Sequence, residues 1–252
     1  MINLHFIDLN ITTVCQNRCA ACSHAIPFSE PYMMDVETAV RDLAALVPIL
    51  HVKEVHLVGG EPLLHPKVGE FVKAVRNSGI ADTVIVVTNG RAIPKMPESF
   101  WEMKAEMILS IYDNLDPEIL PMAIALSEKY GFKLIPEGFA RFFTQFRDGD
   151  GSSFYSCKER LGGCYTVHEG KFFLCAQSCF FPSRFLGLTA GIDGLALEGI
   201  TENGLRDFIG REKPLNACRI CGVGNATTHW HECKTEAEWI IASTIQESHG
   251  SH

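Results

Sequence analysis

From about residue 6 to residue 137, strand-like segments take turns with helical ones, and this alternation limits the fold more than any other feature. Phe6-Ile7-Asp8-Leu9-Asn10-Ile11 alternates as a β-strand does. Asp35 can then cap a helix in which Val36, Ala39, Val40, Leu43, Leu46 and Val47 recur at helical spacing, until Pro48 kinks or ends it. A second strand over Val52 to Val58 closes on Gly59-Gly60, and a helix over roughly Lys67 to Asn77 stops at Gly79. The β-branched run Thr83-Val84-Ile85-Val86-Val87-Thr88 suits a strand buried on both faces. Met107 to Ile111 is a further strand, Pro121 to Tyr130 completes a helix ended by Gly131, and Phe132 to Ile135 is a fifth strand. Such alternation implies right-handed βαβ units around a parallel sheet. Five clear strands are too few for a closed eight-stranded barrel, so an open, partial barrel is expected, with a further strand near Phe142 to Phe146 left unplaced.

Composition narrows the functional classes. The chain has 252 residues, 46% of them hydrophobic, which is ample for a core. A net charge of −8 without a run of Lys and Arg argues against nucleic acid as a partner. No apolar stretch approaches the ~18 residues of a membrane span, and Met1-Ile2-Asn3-Leu4-His5 lacks the features of a signal peptide, so a cytoplasmic protein is expected. In that setting ten cysteines suggest metal ligands rather than disulfides.

Three cysteines follow the first strand in the run Cys15-Gln16-Asn17-Arg18-Cys19-Ala20-Ala21-Cys22, a C-x3-C-x2-C spacing. Three thiolates in one short loop can hold three irons of a [4Fe–4S] cube and leave the fourth open to a small molecule. Gly59-Gly60-Glu61-Pro62 ends the second strand, on the side where α/β sheets bind ligands. Its glycines permit unusual backbone angles and close approach, and Glu61 with local carbonyls can accept from an ammonium group.

Together the two motifs resemble the signature of the radical S-adenosylmethionine enzymes. The resemblance implies that Cys15, Cys19 and Cys22 hold the cluster whose open iron chelates the amino and carboxylate groups of S-adenosylmethionine. It also implies that Gly59, Gly60, Glu61 and Pro62 bind the methionine amino group, and that Asn89 and Ser110 meet the ribose or the methionine carboxylate. One position departs from the pattern. The family usually has an aromatic residue before the third cysteine, where this chain has Ala21, so adenine packing falls to Phe6, His24 or Phe28.

Beyond Asp148-Gly149-Asp150-Gly151-Ser152-Ser153, a linker by composition, lie seven of the ten cysteines. Cys164 to Cys175 reads as a hairpin turning at Glu169-Gly170, with His168 opposite Lys171, Thr166 opposite Phe173 and Cys164 beside Cys175. Cys218-Arg219-Ile220-Cys221 adds a C-x2-C pair suited to zinc or iron–sulfur. The set Cys157, Gly170, Cys175 and then C-x2-C resembles the twitch, or half-SPASM, domain that holds an auxiliary [4Fe–4S] cluster in some radical S-adenosylmethionine enzymes. Cys175, Cys218 and Cys221 are expected ligands, with Cys157 favoured by spacing and Cys164 by hairpin geometry as the fourth. Cys179 and Cys233 are expected to be unligated.

The expected fold is therefore α/β: a partial (β/α)6 TIM-like barrel over 1–147, a small cysteine-rich auxiliary-cluster domain with a β-hairpin over 148–247, and a disordered tail over 248–252. The resemblance implies reductive cleavage of S-adenosylmethionine and hydrogen abstraction from a substrate, with oxidation or epimerisation as the outcome. A small polar metabolite of the sugar, nucleotide-sugar or aminocyclitol type is the expected substrate, because strand one begins too near Met1 for a peptide-recognition domain. Peptide modification and a non-catalytic iron–sulfur or zinc protein remain the alternatives. A flavodoxin or ferredoxin is the implied electron donor, and oligomeric state is left open. Glu137, Arg141 and Tyr112 are the candidate catalytic residues, with Asp113 and His24 as further acid–base groups. His229-Trp230-His231 is read as packing or surface rather than a metal site.

Overall fold

Strand β1 (Ile2–Thr12) buries Ile7, Leu9 and Ile11 completely, while the alternate positions Asp8, Asn10 and Thr12 face the other way. The apolar face meets two amphipathic helices, α1 (Val36–Leu46) and α2 (Val68–Ser78), through Leu43, Leu46, Phe71, Val72 and Val75. Strands β2 (Leu50–Gly59), β3 (Ala81–Thr88), β4 (Glu106–Ile111) and β5 (Leu134–Gly138) follow in order, with α3 (Glu98–Trp101) before β4 and α4 (Ile119–Tyr130) before β5. Gly79 and Gly131 end α2 and α4 in the left-handed conformation, as their sequence positions predict. The computed structural model describes residues 1–27, 29–146, 151–223 and 227–244. Phe28, residues 147–150 of the expected linker and the 248–252 tail lie outside the described residues.

The sheet runs β5-β4-β3-β2-β1-β7-β8-β9, and its first six strands are parallel. The sixth parallel strand is not the one sought near Phe142 to Phe146. It is β7 (Thr166–His168), which lies on the far side of β1 with Asp8 opposite Thr166 and Leu9 opposite Val167. The segment Arg141–Phe143 forms β6 but pairs antiparallel with β10 (Thr227–His229), away from the main sheet. Helix α5 (Lys158–Gly162) precedes β7, and β8 (Lys171–Phe173) and β9 (Leu195–Ala196) complete the antiparallel side. Helices α6 (Ala176–Phe185), α7 (Glu202–Ile209) and α8 (Glu236–Ser243) complete the described elements. The cysteine-rich half thus continues the same sheet through the β7–β8 hairpin.

That hairpin has the expected register, His168 opposite Lys171 and Thr166 opposite Phe173, with Glu169 and Gly170 both at positive φ. Pairing stops there, so Cys164 and Cys175 are not cross-strand neighbours in the ladder. Cys164 instead donates its N–H to the Glu159 carbonyl, and Cys175 stands at the N-cap of α6.

A backbone clamp joins the ends of β1 and β2. The Gly60 N–H donates to the Thr12 carbonyl at 2.7 Å and the Glu61 N–H to the Val14 carbonyl at 2.8 Å. A Cβ on Gly59 would stand 2.1 Å from the Thr12 oxygen, and one on Gly60 would stand 2.3 Å from that of Val14. Gly59 also has a φ of +129°, which L side chains rarely adopt. The two glycines therefore admit the backbone of the cysteine loop itself; the sequence reading had them admitting a ligand.

On the face of the sheet opposite Ile7, Leu9 and Ile11, His56 lies between Asp8 (3.5 Å) and Glu54 (3.0 Å), with its ring stacked on Phe6 at 4.7 Å. Burial pulls its pKa down, but the two carboxylates together outweigh this and raise it.

Two predictions follow from this packing. Gly60→Ala forces a methyl into a backbone oxygen and is expected to cost about 3 kcal/mol, or a Tm fall of roughly 6–12 °C by calorimetry. Gly138→Ala, whose methyl would meet nothing within 4 Å, is the control and should stay within about 0.5 kcal/mol. For His56, the raised folded pKa means its stabilisation is full below the unfolded value of about 6.5 and is lost as pH rises through the folded value. Urea unfolding of His56→Gln against the parent should therefore show the largest deficit near pH 6 and a shrinking one in the alkaline range.

Candidate functional site

The clamp delivers Cys15, one residue after Val14, to the mouth of a cavity of about 240 Å³. Cys15, Cys19 and Cys22 all line it, opposite Gly59, Gly60 and Asn89. Each sulfur has donors aimed at it. The Asn17 N–H lies 3.4 Å from Cys15 Sγ and Asn89 Nδ2 lies 3.7 Å away. Cys22 receives the backbone N–H groups of Ile26, His24 and Ala25. The Trp230 indole N–H, buried and without another partner, favours the Cys19 thiolate. Burial dominates nonetheless: it pushes the Cys15 thiol up to about 12 and raises Cys19 and Cys22 as well. The free thiols are thus protonated at neutral pH, and binding iron displaces those protons. Three sulfurs converging on one cavity, Cys19 buried and Cys15 and Cys22 half-buried, with N–H donors ready to stabilise their charge, fit a three-thiolate cluster site.

Glu61 is not a wall of this cavity. It is fully buried, and its carboxylate accepts from Leu63 N at 3.0 Å, Thr88 Oγ1 at 2.7 Å and Asn89 N at 2.7 Å. Both oxygens are spent on the protein, so the carboxylate ties the β2 end to the β3 end instead of reaching a ligand. Burial pushes its carboxyl up to about 7, against the pull of those three donors. Pro62, also buried, opens the 3-10 turn that follows. Asn89 does line the cavity, but its side chain already serves Cys15 and accepts from Gln16 Nε2 at 3.1 Å.

Ala21 cannot carry the expected aromatic ring: it is fully buried and its φ of +55° is the left-handed region. Rings reach the cavity from elsewhere, through His24, Tyr112, Phe139 and Phe142. Phe6 is occupied by His56. Tyr112 is stacked on Trp230 at 5.4 Å and hydrogen-bonded to Ser110, which also lines the cavity. Burial, then the cysteine charges, raises its pKa, so Tyr112 stays protonated. Glu137 stands opposite Ser110 in register but is exposed at the sheet edge, outside the cavity lining. Arg141 is also outside it. Its guanidinium donates to Thr227 Oγ1 at 2.8 Å and to the Thr227 carbonyl, and pairs with His229 at 2.7 Å. Of the three candidate catalytic residues, only Tyr112 faces the cysteines.

The segment following β10 holds the cysteine loop from above. Ala20 N donates to the His231 carbonyl, Cys233 N to the Arg18 carbonyl, and the fully buried Trp239 donates Nε1–H to the Cys19 carbonyl at 3.1 Å. Arg91 donates to Asn17 Oδ1 at 3.0 Å and lies 4.0 Å from Glu232. His229 and His231 are exposed while Trp230 is buried against Tyr112. Sequence reasoning did not single out Trp239, Arg91 or the approach of Trp230 to Cys19, because nothing local marks contacts made across 74 residues, as from Arg91 to Asn17, or 220, as from Trp239 to Cys19.

In the C-terminal half Cys175 has Cys221 and Cys157 as electrostatic neighbours, Cys218 has Cys157, and Cys221 has both Cys157 and Cys218. Cys164 neighbours Glu159, Asp8 and Cys157. Burial raises all four of Cys164, Cys175, Cys218 and Cys221, with Cys218 reaching about 11 and Cys221 about 12. Among the described residues no three His, Cys, Asp or Glu side chains stand close enough to share a single metal ion. Likewise no described helix is long and apolar enough to cross a membrane.

Comparison with known proteins agrees with this geometry. The Radical SAM superfamily matches residues 9–125. The GTP 3′,8-cyclase of Chlorobaculum tepidum is 28% identical over 113 residues, covering 45% of this chain and 34% of that protein. That of Alkaliphilus oremlandii is 27% identical over 118 residues, covering 46% and 37%. The matched stretch thus spans little more than a third of these relatives' length. The crystal structure of BtrN in complex with AdoMet and 2-DOIA superposes with a TM-score of 0.53 at 16% identity, over 84% of this chain and 85% of that one, which shows a shared fold. The strand order and the cysteine loop at the end of β1 fall within or beside the stretch, residues 9–125, that is similar to the Radical SAM superfamily.

Proposed function

We propose that the chain binds S-adenosylmethionine at a [4Fe–4S] cluster held by Cys15, Cys19 and Cys22, and acts on a small polar metabolite by oxidation or epimerisation. The observation that carries this reading is the convergence of the Cys15, Cys19 and Cys22 thiols and the Gly59-Gly60 turn on one cavity. When bound, the cluster and S-adenosylmethionine supply an electron and a 5′-deoxyadenosyl radical able to abstract hydrogen. The residues of the chain position and protect. Trp230, Asn17 and the amides after Cys22 favour the thiolates. Tyr112, Phe139 and Phe142 wall the cavity with rings that exclude water, in place of the aromatic absent at Ala21. Protonated Tyr112, held by Ser110, is the candidate proton or hydrogen donor nearest in kind to a reacting group.

A second cluster is proposed on Cys157, Cys175, Cys218 and Cys221. Cys157 is the common neighbour of Cys175, Cys218 and Cys221, which favours it over Cys164 as the fourth ligand. Electrons would arrive from a flavodoxin- or ferredoxin-type donor. The relatives' name speaks of GTP, which makes GTP a necessary test compound for this chain.

Anaerobically reconstituted protein with dithionite and S-adenosylmethionine should release 5′-deoxyadenosine, and Cys15→Ala should abolish it. A fully iron-loaded parent that releases none would contradict the proposal. Iron analysis tests the second site separately. The parent should hold about eight irons and Cys157→Ser about four, while Cys164→Ser should keep the full complement; the reverse pattern would assign Cys164 instead.

A further inference from the structure

The segment 230–233 lies along the cysteine loop as a short antiparallel partner. Cys19 stands opposite Glu232 in an isolated β-bridge. On either side of it the Ala20 N–H donates to the His231 carbonyl at 2.8 Å and the Cys233 N–H to the Arg18 carbonyl at 2.9 Å. At the start of the segment the Trp230 backbone N–H donates to the Ala140 carbonyl at 2.9 Å. Its ring stacks at 5.4 Å on Tyr112, which lines the cavity together with Cys19. The Trp230 indole and the Glu232 carboxylate are thereby fixed near one sulfur.

The indole nitrogen has no other use in the fold. Trp230 is 8% exposed, and its Nε1 is buried without an oxygen or nitrogen partner. Leaving such a donor unsatisfied is costly, and native interiors rarely do it without a group to receive the hydrogen. Cys15 and Cys22 are supplied from nearer by: Asn17 and Asn89 serve the first, and the amides of His24, Ala25 and Ile26 the second. For Cys19 the indole fills that role, favouring negative charge on the sulfur.

Glu232 acts the other way, since its carboxylate opposes charge on Cys19. It is held in place by Asn114 Nδ2 at 3.1 Å, with the Arg91 guanidinium 4.0 Å away. Its side chain is 42% exposed, so water and salt weaken its field, whereas the indole acts from within the packing.

We infer that Trp230 and Glu232 are positioning residues that set, in opposite directions, the reduction potential of the cluster held by Cys15, Cys19 and Cys22. This rests on the proposed function and goes beyond it, to how readily that cluster takes up its electron. One-electron reduction adds one negative charge to the cluster. An N–H aimed at a ligand sulfur stabilises that charge and raises the potential, while a neighbouring carboxylate repels it and lowers the potential.

Redox titration of the iron-loaded full chain, followed by electron paramagnetic resonance, tests this without turnover. The first cluster is recognised as the signal that S-adenosylmethionine alters. Trp230→Phe keeps a ring against Tyr112 and loses the N–H. It should lower the reduction equilibrium constant about tenfold, a fall of about 59 mV for a one-electron couple. Glu232→Gln keeps an acceptor for Asn114 and loses the charge. It should raise that constant about threefold at low salt, and by less at high salt. Shifts in these two directions support the inference; an unmoved potential in either variant, or a shift the other way, overturns it. Should Trp230→Phe fail to hold iron, the parent labelled with 15N in its tryptophan indoles decides: weak 15N coupling to the reduced cluster supports the indole contact, and its absence contradicts it. A parent in which no signal responds to S-adenosylmethionine would overturn the proposed function and this inference with it, a result read from the parent alone and so distinct from the variants' shifts.

Discussion

Two backbone hydrogen bonds, from Gly60 N to the Thr12 carbonyl and from Glu61 N to the Val14 carbonyl, set the position of everything chemical in this protein. They carry the β1–β2 pairing beyond the last regular residues and into the loop that bears Cys15. The approach is closer than any side chain would allow, which is why glycine stands at both 59 and 60. Glu61 then passes the constraint on. Its buried carboxylate gathers Leu63, Thr88 and Asn89, and Asn89 returns to the Cys15 sulfur. Three strand ends are thereby locked around one cavity by groups that are fully paired.

The far end of the chain completes the site. Residues 230–239 cross the cysteine loop, where Trp239 takes the Cys19 carbonyl and Trp230 stacks on Tyr112. A small cluster of Ala20, Ala25, Phe181, Ala217, Cys233 and Trp239 seals the loop from behind. Because Ala217 and Cys218 share a 3-10 turn, the packing that supports the first cysteine set is continuous with the segment carrying part of the second. This gives the chain a physical route by which the two halves depend on each other, independent of any ligand.

Much of this was legible in the sequence because it is local. The period-2 run at Phe6 to Ile11, the β-branched run at Thr83 to Thr88 and the glycines after α2 and α4 each announce their element through nearest neighbours. The hairpin register followed from its turn residues. What escaped depends on partners distant in sequence. The role of Glu61 turned inward because its donors lie at residues 63, 88 and 89, and Arg141 was claimed by Thr227 and His229. The sixth parallel strand came from beyond residue 150, since β7 reaches β1 only through the tertiary fold. Ala21 departs from the radical SAM pattern because its backbone is left-handed in a fully buried position, and a ring there would be both strained and crowded.

The central claim is that the clamp presents three thiolates and one open iron to S-adenosylmethionine. Electron–nuclear double resonance on the reduced protein, with S-adenosylmethionine carrying 15N in its amino group and 17O in its carboxylate, tests this directly. The account predicts hyperfine coupling from both labels, lost when Cys19 is replaced by Ala. A reduced cluster that shows no coupling to either label would contradict it.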